Sequence, residues 1–308
     1  MAVTVTELNT VTRKHFLKDL TSQVYDSTPF LAKLKADNQI KASGGQSLQW
    51  PIRYQELGSA GATTAREQVT FESKETRTGV TADWAYVDAV TMMHWDERAT
   101  NQGPEQIVNL SKDKQDELLE DFQDYLATTI FGTTTTGIAP LTQMIDATDT
   151  YGGMAYDAFS GWASTISTDT TLTISKLDEA RNAATFGKNG PTLHVTTRDL
   201  YSKYESLLEG KEVLVDVQMA DLGFDSIKYH NVPIVADPYC TAEYWYGIDM
   251  KQFKLMVLKG QDPKPTDWFT LEQAGFPNAV AKYMSGVMQL ICKMRKTSFK
   301  FEALDYEL

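Results

Sequence analysis

The sequence has few of the residues on which common enzyme and metal sites depend. It contains two cysteines, Cys240 and Cys292, whose spacing fits neither a zinc knuckle nor a disulfide scaffold. It contains four histidines, and it has no glycine-rich phosphate loop, no G-x-S-x-G elbow and no Cys–His signature. We therefore expect both cysteines to be buried thiols, and we expect no catalytic, cofactor-binding or metal-binding site.

The sequence also lacks long apolar runs and an excess of positive charge. No run approaches the roughly 18 apolar residues of a membrane-spanning helix, and residues 1–16 do not resemble a signal peptide. We therefore expect a soluble protein made in the cytosol, without a membrane partner. The net charge is −12, from 29 basic and 41 acidic residues. This balance opposes tight non-specific binding to nucleic acid.

What is present is the composition of an ordinary folded protein. Of the 308 residues, 42% are hydrophobic and 11% are aromatic, which is enough for a substantial core and for more than one domain. Residues 1–41 differ from the rest because six Lys and Arg stand against four Asp and Glu, a local net of +2. This pattern indicates either a mildly basic arm, which carries Arg13, Lys14 and Lys18, or a solvated helical face.

Two strand-like stretches enclose an unusually long polar segment. Apolar residues alternate with polar ones first at Leu48, Trp50, Ile52 and Tyr54, and then at Val80, Ala82, Trp84 and Tyr86. Residues 55–79 between them are polar, whereas hairpin loops usually have about 2–5 residues. The pattern predicts a finger whose root is anchored by apolar residues and whose tip is completed by another subunit.

The remaining pattern predicts a mixed α and β chain. A helix is predicted over residues 104–131, starting at Pro104 and ending before Gly132, with one docked and one exposed side. A buried strand at 193–197 runs into a helix, which indicates an α/β unit. Residues 279–296 read as a long strand that returns to an earlier sheet.

Several segments, in this order and spacing, resemble the major capsid protein of tailed bacteriophages, which has the Hong Kong 97-type fold. The segments are TPFLAKLK (28–35), GGQSLQWPIRY (44–54), LHVTTRDLYSKYESLLEG (193–210), ADLGFDSIKYHNVPIVADPYC (220–240) and FKLMVLKG (253–260). No single motif decides the resemblance; the order and spacing carry it.

The resemblance implies an α+β fold with an N-terminal arm, an extended loop, a peripheral domain with a long spine helix, and an axial α/β domain. Placed on this sequence, the parts are an arm (1–43), an extended-loop hairpin (44–87), a peripheral domain (88–172) with its spine helix (104–131), an axial domain (173–258), and a return to the peripheral domain with a C-terminal tail (259–308).

The resemblance also implies a structural function and a set of partners. The chain would be a virion protein that assembles with itself into pentamers and hexamers of a phage head enclosing double-stranded DNA. Because the predicted arm begins almost at Met1, we expect a separate scaffolding protein. Portal and decoration proteins are further expected partners, and packaged DNA would make weak, non-specific contacts. Assembly would take place in the cytoplasm of the bacterial host.

The finger supplies the predicted subunit interface. Its charges alternate in sign, which suits polar pairing across a subunit boundary, and they are Arg66, Glu67, Glu72, Lys74, Glu75 and Arg77. Its aromatic residues are candidate anchors, with Trp50, Trp84 and Tyr86 at the root and Phe71 near the tip. Alternatively, these aromatic residues pair only with one another across the hairpin.

Relatives of this fold that form a lysine–asparagine isopeptide bond between subunits carry the lysine on the extended loop. Lys74 is the only lysine in this finger, so it is the candidate donor. A lone exposed lysine is usually solvated or ion-paired, and we therefore expect no crosslink.

Other functions compete with the capsid hypothesis. An encapsulin-type nanocompartment shell shares the fold. His94 and Asp96 have the spacing of a metal-dependent oxygenase site that would recruit His194 or His230, but His194 reads better as a hydrogen-bonded core histidine. A carbohydrate-binding or adhesin module would require the secretion signal that we do not find.

Overall fold

The computed structural model describes residues 28–58, 60–62, 73–100, 110–134, 136–148, 150–155, 160–208, 217–222, 224, 226–272 and 278–305. The basic arm residues Arg13, Lys14 and Lys18 lie outside these ranges. The same is true of four predicted finger residues, which are Arg66, Glu67, Phe71 and Glu72.

The helices within the described ranges are α1 (Pro29–Ala36), α2 (Trp95–Thr100), α3 (Leu110–Phe131), α4 (Leu141–Met144), α5 (Ile174–Ala184), α6 (Arg198–Leu207) and α7 (Val217–Asp221). The strands are β1 (Ile40–Ser43), β2 (Leu48–Arg53), β3 (Arg77–Ala82), β4 (Ala85–His94), β5 (Thr165–Ser167), β6 (Leu193–Thr196), β7 (Ser226–Tyr229), β8 (Val232–Ala236), β9 (Trp245–Ile248), β10 (Phe253–Leu258), β11 (Lys264–Pro265), β12 (Phe269–Thr270), β13 (Ala279–Cys292) and β14 (Phe299–Phe301).

The first sheet is organised around β13. Among the described residues, β13 pairs antiparallel with β4, β10, β11 and β12, and β1 adds to β10 in parallel. The β4 pairing runs from Ala279↔His94 to Met288↔Ala85. The long C-terminal strand therefore returns to an earlier sheet, as its sequence predicts.

Helix α3 lies across one face of this sheet. Lys282 of β13 donates a hydrogen bond to Gln115 of α3 at 2.8 Å, and the ring of Phe122 reaches toward Gly286. The helix ends at Phe131, directly before Gly132, as predicted. Its predicted start at residue 104 lies outside the described residues, since 101–109 are not described.

Helix α1 closes the same side of the first sheet. The Thr28 hydroxyl accepts a hydrogen bond from the Leu31 amide, and Pro29 occupies the first helical position, where its missing N–H costs nothing. The ring of Phe30 lies edge-on to Phe131 of α3 and to Phe253 of β10, with centroid distances of 6.2 and 6.4 Å. The helix is therefore held by tertiary packing, as expected for eight residues.

The second sheet has the order β5-β14-β9-β6-β8-β7 within the described chain. The predicted strand-to-helix unit is present as β6 followed by α6, whose N-cap Thr197 accepts from the Leu200 amide. Helices α5 and α6 contribute Leu177 and Tyr204 to a core that contains Trp245 of β9. A second hydrophobic core therefore forms around this sheet.

Three strands lie in a different sheet from the one their predicted domain implies. Strand β10, placed by sequence in the axial domain, pairs with β1 and β13 of the first sheet. Strands β5 and β14, placed in the peripheral parts, belong to the second sheet. The reason is that these short strands pair with partners far away in sequence, so their order along the chain does not determine their sheet.

Candidate subunit interface

The root of the finger is a two-stranded antiparallel ladder of β2 and β3. The register runs from Leu48↔Ala82 to Arg53↔Arg77. Leu48, Trp50 and Ile52 are buried and alternate with exposed residues, as the sequence predicts. The finger therefore has one apolar and one polar face at its root.

The buried face of the root packs on residues of its own subunit. Trp50 contacts the ring of Tyr151 at a centroid distance of 6.3 Å, and the Thr81 amide donates to the Gly152 carbonyl at 3.3 Å. Gly152 has φ +62, and a Cβ there would lie 2.0 Å from Val80 Cγ1. A glycine is therefore required where the chain crosses the root.

The two tryptophans predicted at the interface are buried inside their own subunit. Trp50 stands opposite Val80 in the ladder, and Trp84 follows β3 and donates from Nε1 to the Gly45 carbonyl at 2.9 Å. They therefore fix the position of the root rather than offer a surface to a neighbour. Nor do they face one another across the hairpin, because the register places other residues opposite Trp50.

Tyr86 differs from its prediction. The alternation predicts that it continues the buried face, but its side chain is 71% exposed while Ala85 and Val87 are buried. The chain leaves the root at Asp83, whose carbonyl accepts a hydrogen bond from Gln289 of β13 at 2.7 Å. Strand β4 then starts in the first sheet. From Ala85 onward the odd-numbered residues are buried or partly buried, whereas in the root the even-numbered residues are buried.

Above the root the finger continues as a polar, hydrogen-bonded segment. The Tyr54 amide donates to the Thr76 carbonyl at 3.2 Å, and its hydroxyl donates to the Glu75 carbonyl at 3.0 Å. Lys74, Glu75 and Arg77 are exposed. Their placement agrees with a contact surface, and their role in one stays a prediction, as does the crosslink at Lys74.

Two arginines of the root occupy opposite positions in the ladder. Arg53 and Arg77 are direct partners in the β2–β3 register, and both are exposed. Arg53 donates from Nε to the Gln55 carbonyl at 3.3 Å. Like charges directly opposite each other destabilise a ladder, and an acidic group supplied from outside would relieve this pair.

The first sheet has an exposed apolar face that sequence reasoning missed. On the side opposite α3, Val90 stands beside Tyr283, and Met92 lies in line with Ala281 and Phe269 across β4, β13 and β12. We call the exposed residues of this side the apolar sheet face, and they are Tyr86, Val90, Met92, Phe269 and Tyr283. Soluble monomers rarely leave large contiguous apolar patches exposed, so this face is a candidate interface.

A sequence signal for this face exists in β4. Val87 and Met93 point to the α3 side, whereas Tyr86, Val90 and Met92 point to the other side. A strand that is apolar on both sides is typical of a strand that is covered on both sides. Here α3 covers only one of them.

The residues of the hypothetical metal site do not come together. His94 ends β4 in the first sheet, whereas His194 lies in β6 of the second, where its Nδ1 accepts from Trp245 Nε1 at 3.2 Å. His230 is bonded through Nε2 to Asp178 at 2.9 Å. Within the described ranges, no group of three or more His, Cys, Asp or Glu side chains is placed to hold a metal ion.

Both cysteines are free and buried, as predicted. Burial raises the pKa of Cys292 to about 12, and it also raises the pKa of Cys240 well above its usual value. Neither thiol is therefore activated as a nucleophile. Among the described helices, none has the length and apolar character needed to cross a membrane.

The fold is similar to those of solved shell proteins. A chain of the cyanophage A-1(L) capsid asymmetric unit is 16% identical, with a TM-score of 0.63, over 87% of this chain and 90% of that chain. The holo-SrpI encapsulin of Synechococcus elongatus PCC 7942 is 9% identical, with a TM-score of 0.57, over 89% and 88%. A chain of the satellite phage P4 procapsid that includes the size determination (Sid) protein is 12% identical, with a TM-score of 0.50, over 96% and 94%.

No protein-family model matches the sequence, and comparison with curated proteins finds no match either. The structural similarity nevertheless extends over most of the chain and most of each matched chain. The α+β fold predicted from the sequence is confirmed: the chain has the Hong Kong 97-type capsid fold. At these identities the similarity identifies the fold.

Proposed function

We propose that this chain is the major capsid subunit of a tailed phage or prophage, a virion protein that assembles with itself into pentamers and hexamers of a DNA-filled head. The observation that carries the proposal is the fold, which is similar over most of the chain to phage capsid subunits. The apolar sheet face and the finger add surfaces that suit contact with further copies. The function is structural, and no enzymatic step is part of it.

The finger contributes polar contacts to this assembly. Arg53 and Arg77 would pair with acidic groups of a neighbouring subunit, and Lys74 and Glu75 lie exposed beside them. Exposed ion pairs contribute about 0.2–1 kcal/mol each. Many copies of such weak contacts, together with burial of the apolar sheet face, would stabilise a shell. The contacts proposed for Arg66, Glu67, Phe71 and Glu72 belong to the same interface.

The partners follow from this function. A separate scaffolding protein would direct assembly in the host cytoplasm, and the similarity to a procapsid that contains a size determination protein supports such a partner. Portal and decoration proteins would attach to the shell. The net charge of −12 favours weak contacts with packaged DNA, since each phosphate contact adds a salt-dependent attraction. The basic arm, with Arg13, Lys14 and Lys18, would face the scaffold or the DNA.

Microscopy and sedimentation of the purified full chain test the proposal. We expect closed shells, tubes or capsomers in negative stain, and large species in sedimentation velocity at rising protein concentration. A stable monomer at the highest concentration reached would contradict the proposal. Deleting residues 1–27 should impair assembly or scaffold binding, and unaffected particles would contradict the role of the arm.

A second candidate is the shell of an encapsulin-type nanocompartment. The similarity to an encapsulin over 89% of this chain favours it. Particles isolated from the native source distinguish the two functions by their contents. A capsid protects long double-stranded DNA from nuclease, whereas a nanocompartment contains a cargo protein and no genome.

A further inference from the structure

A cavity lies between the root of the finger and one end of the first sheet. Its volume is about 600 Å³, and it is open to solvent. One wall is formed by the start of the finger, including Gln46 and Gln49, and the other by β1, β10 and the end of β13. Among the described residues, no Asp or Glu lines this cavity.

Three lysines converge on the cavity, one from β1, one from β10 and one from the residue that follows β13. Lys41 of β1 stands beside Met256 of β10, Lys254 of β10 stands beside Ile291 of β13, and Lys293 follows two residues later. The pairing register places Lys41 and Lys254 on the same side of the sheet, and Lys293 lines the same cavity. Within the described chain none of them forms a salt bridge.

The three ammonium groups repel one another. Burial lowers the pKa of Lys254, and the charges of Lys293 and Lys41 lower it further. The whole chain has a net charge of −12, so a cluster of three lysines without a counter-charge differs from the rest of the molecule. An anion that entered the cavity would meet three cations and the hydroxyl of Ser43. The cavity is therefore suited to carboxylate or phosphate groups.

The described chain carries a surface of opposite charge on the solvent side of α3. Glu120 and Asp121 are exposed and have no partner among the described residues. Glu117, which pairs with Lys114, and Asp124, which accepts from the Tyr239 hydroxyl, lie on the same exposed side. We call these four residues the acidic ridge. Residues three and four apart are neighbours on a helix, so the ridge presents its carboxylates together.

The acidic ridge cannot reach the cavity of its own subunit. Helix α3 packs on the sheet face that carries Lys282, Phe253 and Leu255, whereas the cavity is lined by Lys254 and Ile291 of the other face. The sheet therefore separates the two surfaces within one molecule. Contact between them requires a second copy.

We propose that the lysine cavity binds carboxylates of the acidic ridge of a second copy of this chain. The contact is heterologous, because each copy offers a cavity on one side of its sheet and a ridge on the other, and such contacts generate rings when the rotation between copies closes. It rests on the proposed self-assembly and gives that assembly an electrostatic contact. DNA phosphate is a weaker match, because a polyanion must approach a surface with an acidic net charge.

Zero-length crosslinking tests the contact directly. Full-length chains labelled with ¹⁵N and unlabelled chains are mixed before assembly, the particles are treated with a carbodiimide, and the peptides are identified by mass spectrometry. We expect mixed-label crosslinks from Lys41, Lys254 or Lys293 to residues of the ridge. Crosslinks that avoid the ridge, or that join only peptides of the same label, would overturn the proposal.

Charge removal supplies a second test. The variant K41Q/K254Q/K293Q should assemble about tenfold less than wild type, a loss of about 1.4 kcal/mol shared by three partly exposed ion pairs. The matched control K188Q/K251Q/K264Q removes three exposed lysines outside the cavity and should assemble as wild type does. Equal assembly of the cavity variant and the control would overturn the proposal.

The two proposals fail in different ways. If wild type forms no assembly at all, the proposed function fails; if wild type assembles and the cavity variant does so equally well, only the cavity contact fails. Particles of the cavity variant are also compared with wild type for retained DNA. Normal shells that retain less DNA would assign the cavity to phosphate and overturn the contact between copies.

Discussion

The ammonium group of Lys300 lies 2.6 Å from the Asp146 carboxylate in the interior of the molecule. Their side chains are 3% and 9% exposed. Lys300 belongs to β14 of the second sheet, whereas Asp146 follows α4. Lys300 also contacts Glu302 at 2.6 Å and donates to the Thr142 carbonyl at 2.9 Å. The pair therefore connects the second sheet to the segment after α4.

Removal of this buried cation should destabilise the fold strongly. Lys300→Met leaves Asp146 buried without its cation, and breaking such a pair typically costs about 3–5 kcal/mol. Urea unfolding of wild type and variant measures the difference. Lys176→Met is the matched control, because its pair with Asp169 is partly exposed and should contribute about 0–1 kcal/mol. Equal losses in the two variants would contradict the role of the buried pair.

Gly152→Ala should displace the finger root from its subunit. The new Cβ would lie 2.0 Å from Val80 Cγ1, at a φ of +62 that alanine adopts with strain. Strain and overpacking together cost about 2–4 kcal/mol. Hydrogen exchange of β2 and β3 amides should accelerate. Gly79→Ala, in β3, is the control, because the added Cβ meets no atom within 4 Å and should leave exchange slow. Equal exchange in both variants would show that the root does not depend on the close approach of Gly152 to Val80.

Polar substitution of the apolar sheet face should weaken assembly without unfolding the subunit. Tyr86 and Val90 are 71% and 68% exposed, so Y86S/V90S should change the free energy of unfolding by about 0.5 kcal/mol or less. Truncation of an aromatic side chain that is a hot spot of an interface costs about 2 kcal/mol or more of association free energy, so the assembled fraction should fall. Sedimentation velocity measures the assembled fraction. Phe186→Ser is the control, because Phe186 is an exposed aromatic residue between α5 and β6. Assembly of Y86S/V90S at the level of the control would show that the apolar sheet face is not part of the interface.

The finger root and the β6–α6 unit could be predicted from the sequence because their signals are local. The alternation in β2 and the cap at Thr197 depend on residues a few positions apart. The phase change between Trp84 and Tyr86 could not be predicted in this way. It depends on a hydrogen bond from Gln289 to Asp83, which is 206 residues away in sequence.

The surfaces that we propose for assembly are harder to predict than the elements that carry them. Lys41, Lys254 and Lys293 look like ordinary surface lysines in the sequence, and only the β1–β10–β13 pairing brings them together. The apolar sheet face likewise needs the register of three strands. The length of the finger can be read from the sequence. Its packing on Tyr151 and Gly152 cannot, because these are tertiary contacts.

His194 illustrates both the strength and the limit of sequence reasoning. The sequence predicts a hydrogen-bonded core histidine, and the side chain is fully buried, with Nδ1 accepting from Trp245. Its proton is therefore on Nε2, which has no partner among the described residues. Burial, with a smaller effect from the charge of Arg181, lowers the pKa of His194 to about 3 from its usual 6.5.

This pKa predicts a specific dependence of stability on pH. Between about pH 6.5 and about pH 3 the unfolded chain binds a proton at His194 and the folded chain does not, so stability falls as the pH falls through this window. The slope approaches about 1.4 kcal/mol per pH unit for one such group. His194→Asn keeps an acceptor for Trp245 but cannot titrate, so its urea-unfolding free energy should fall less between pH 7 and pH 4. His94→Asn, at an exposed site, is the control and should behave as wild type. An unchanged pH dependence in His194→Asn would show that His194 does not control acid stability.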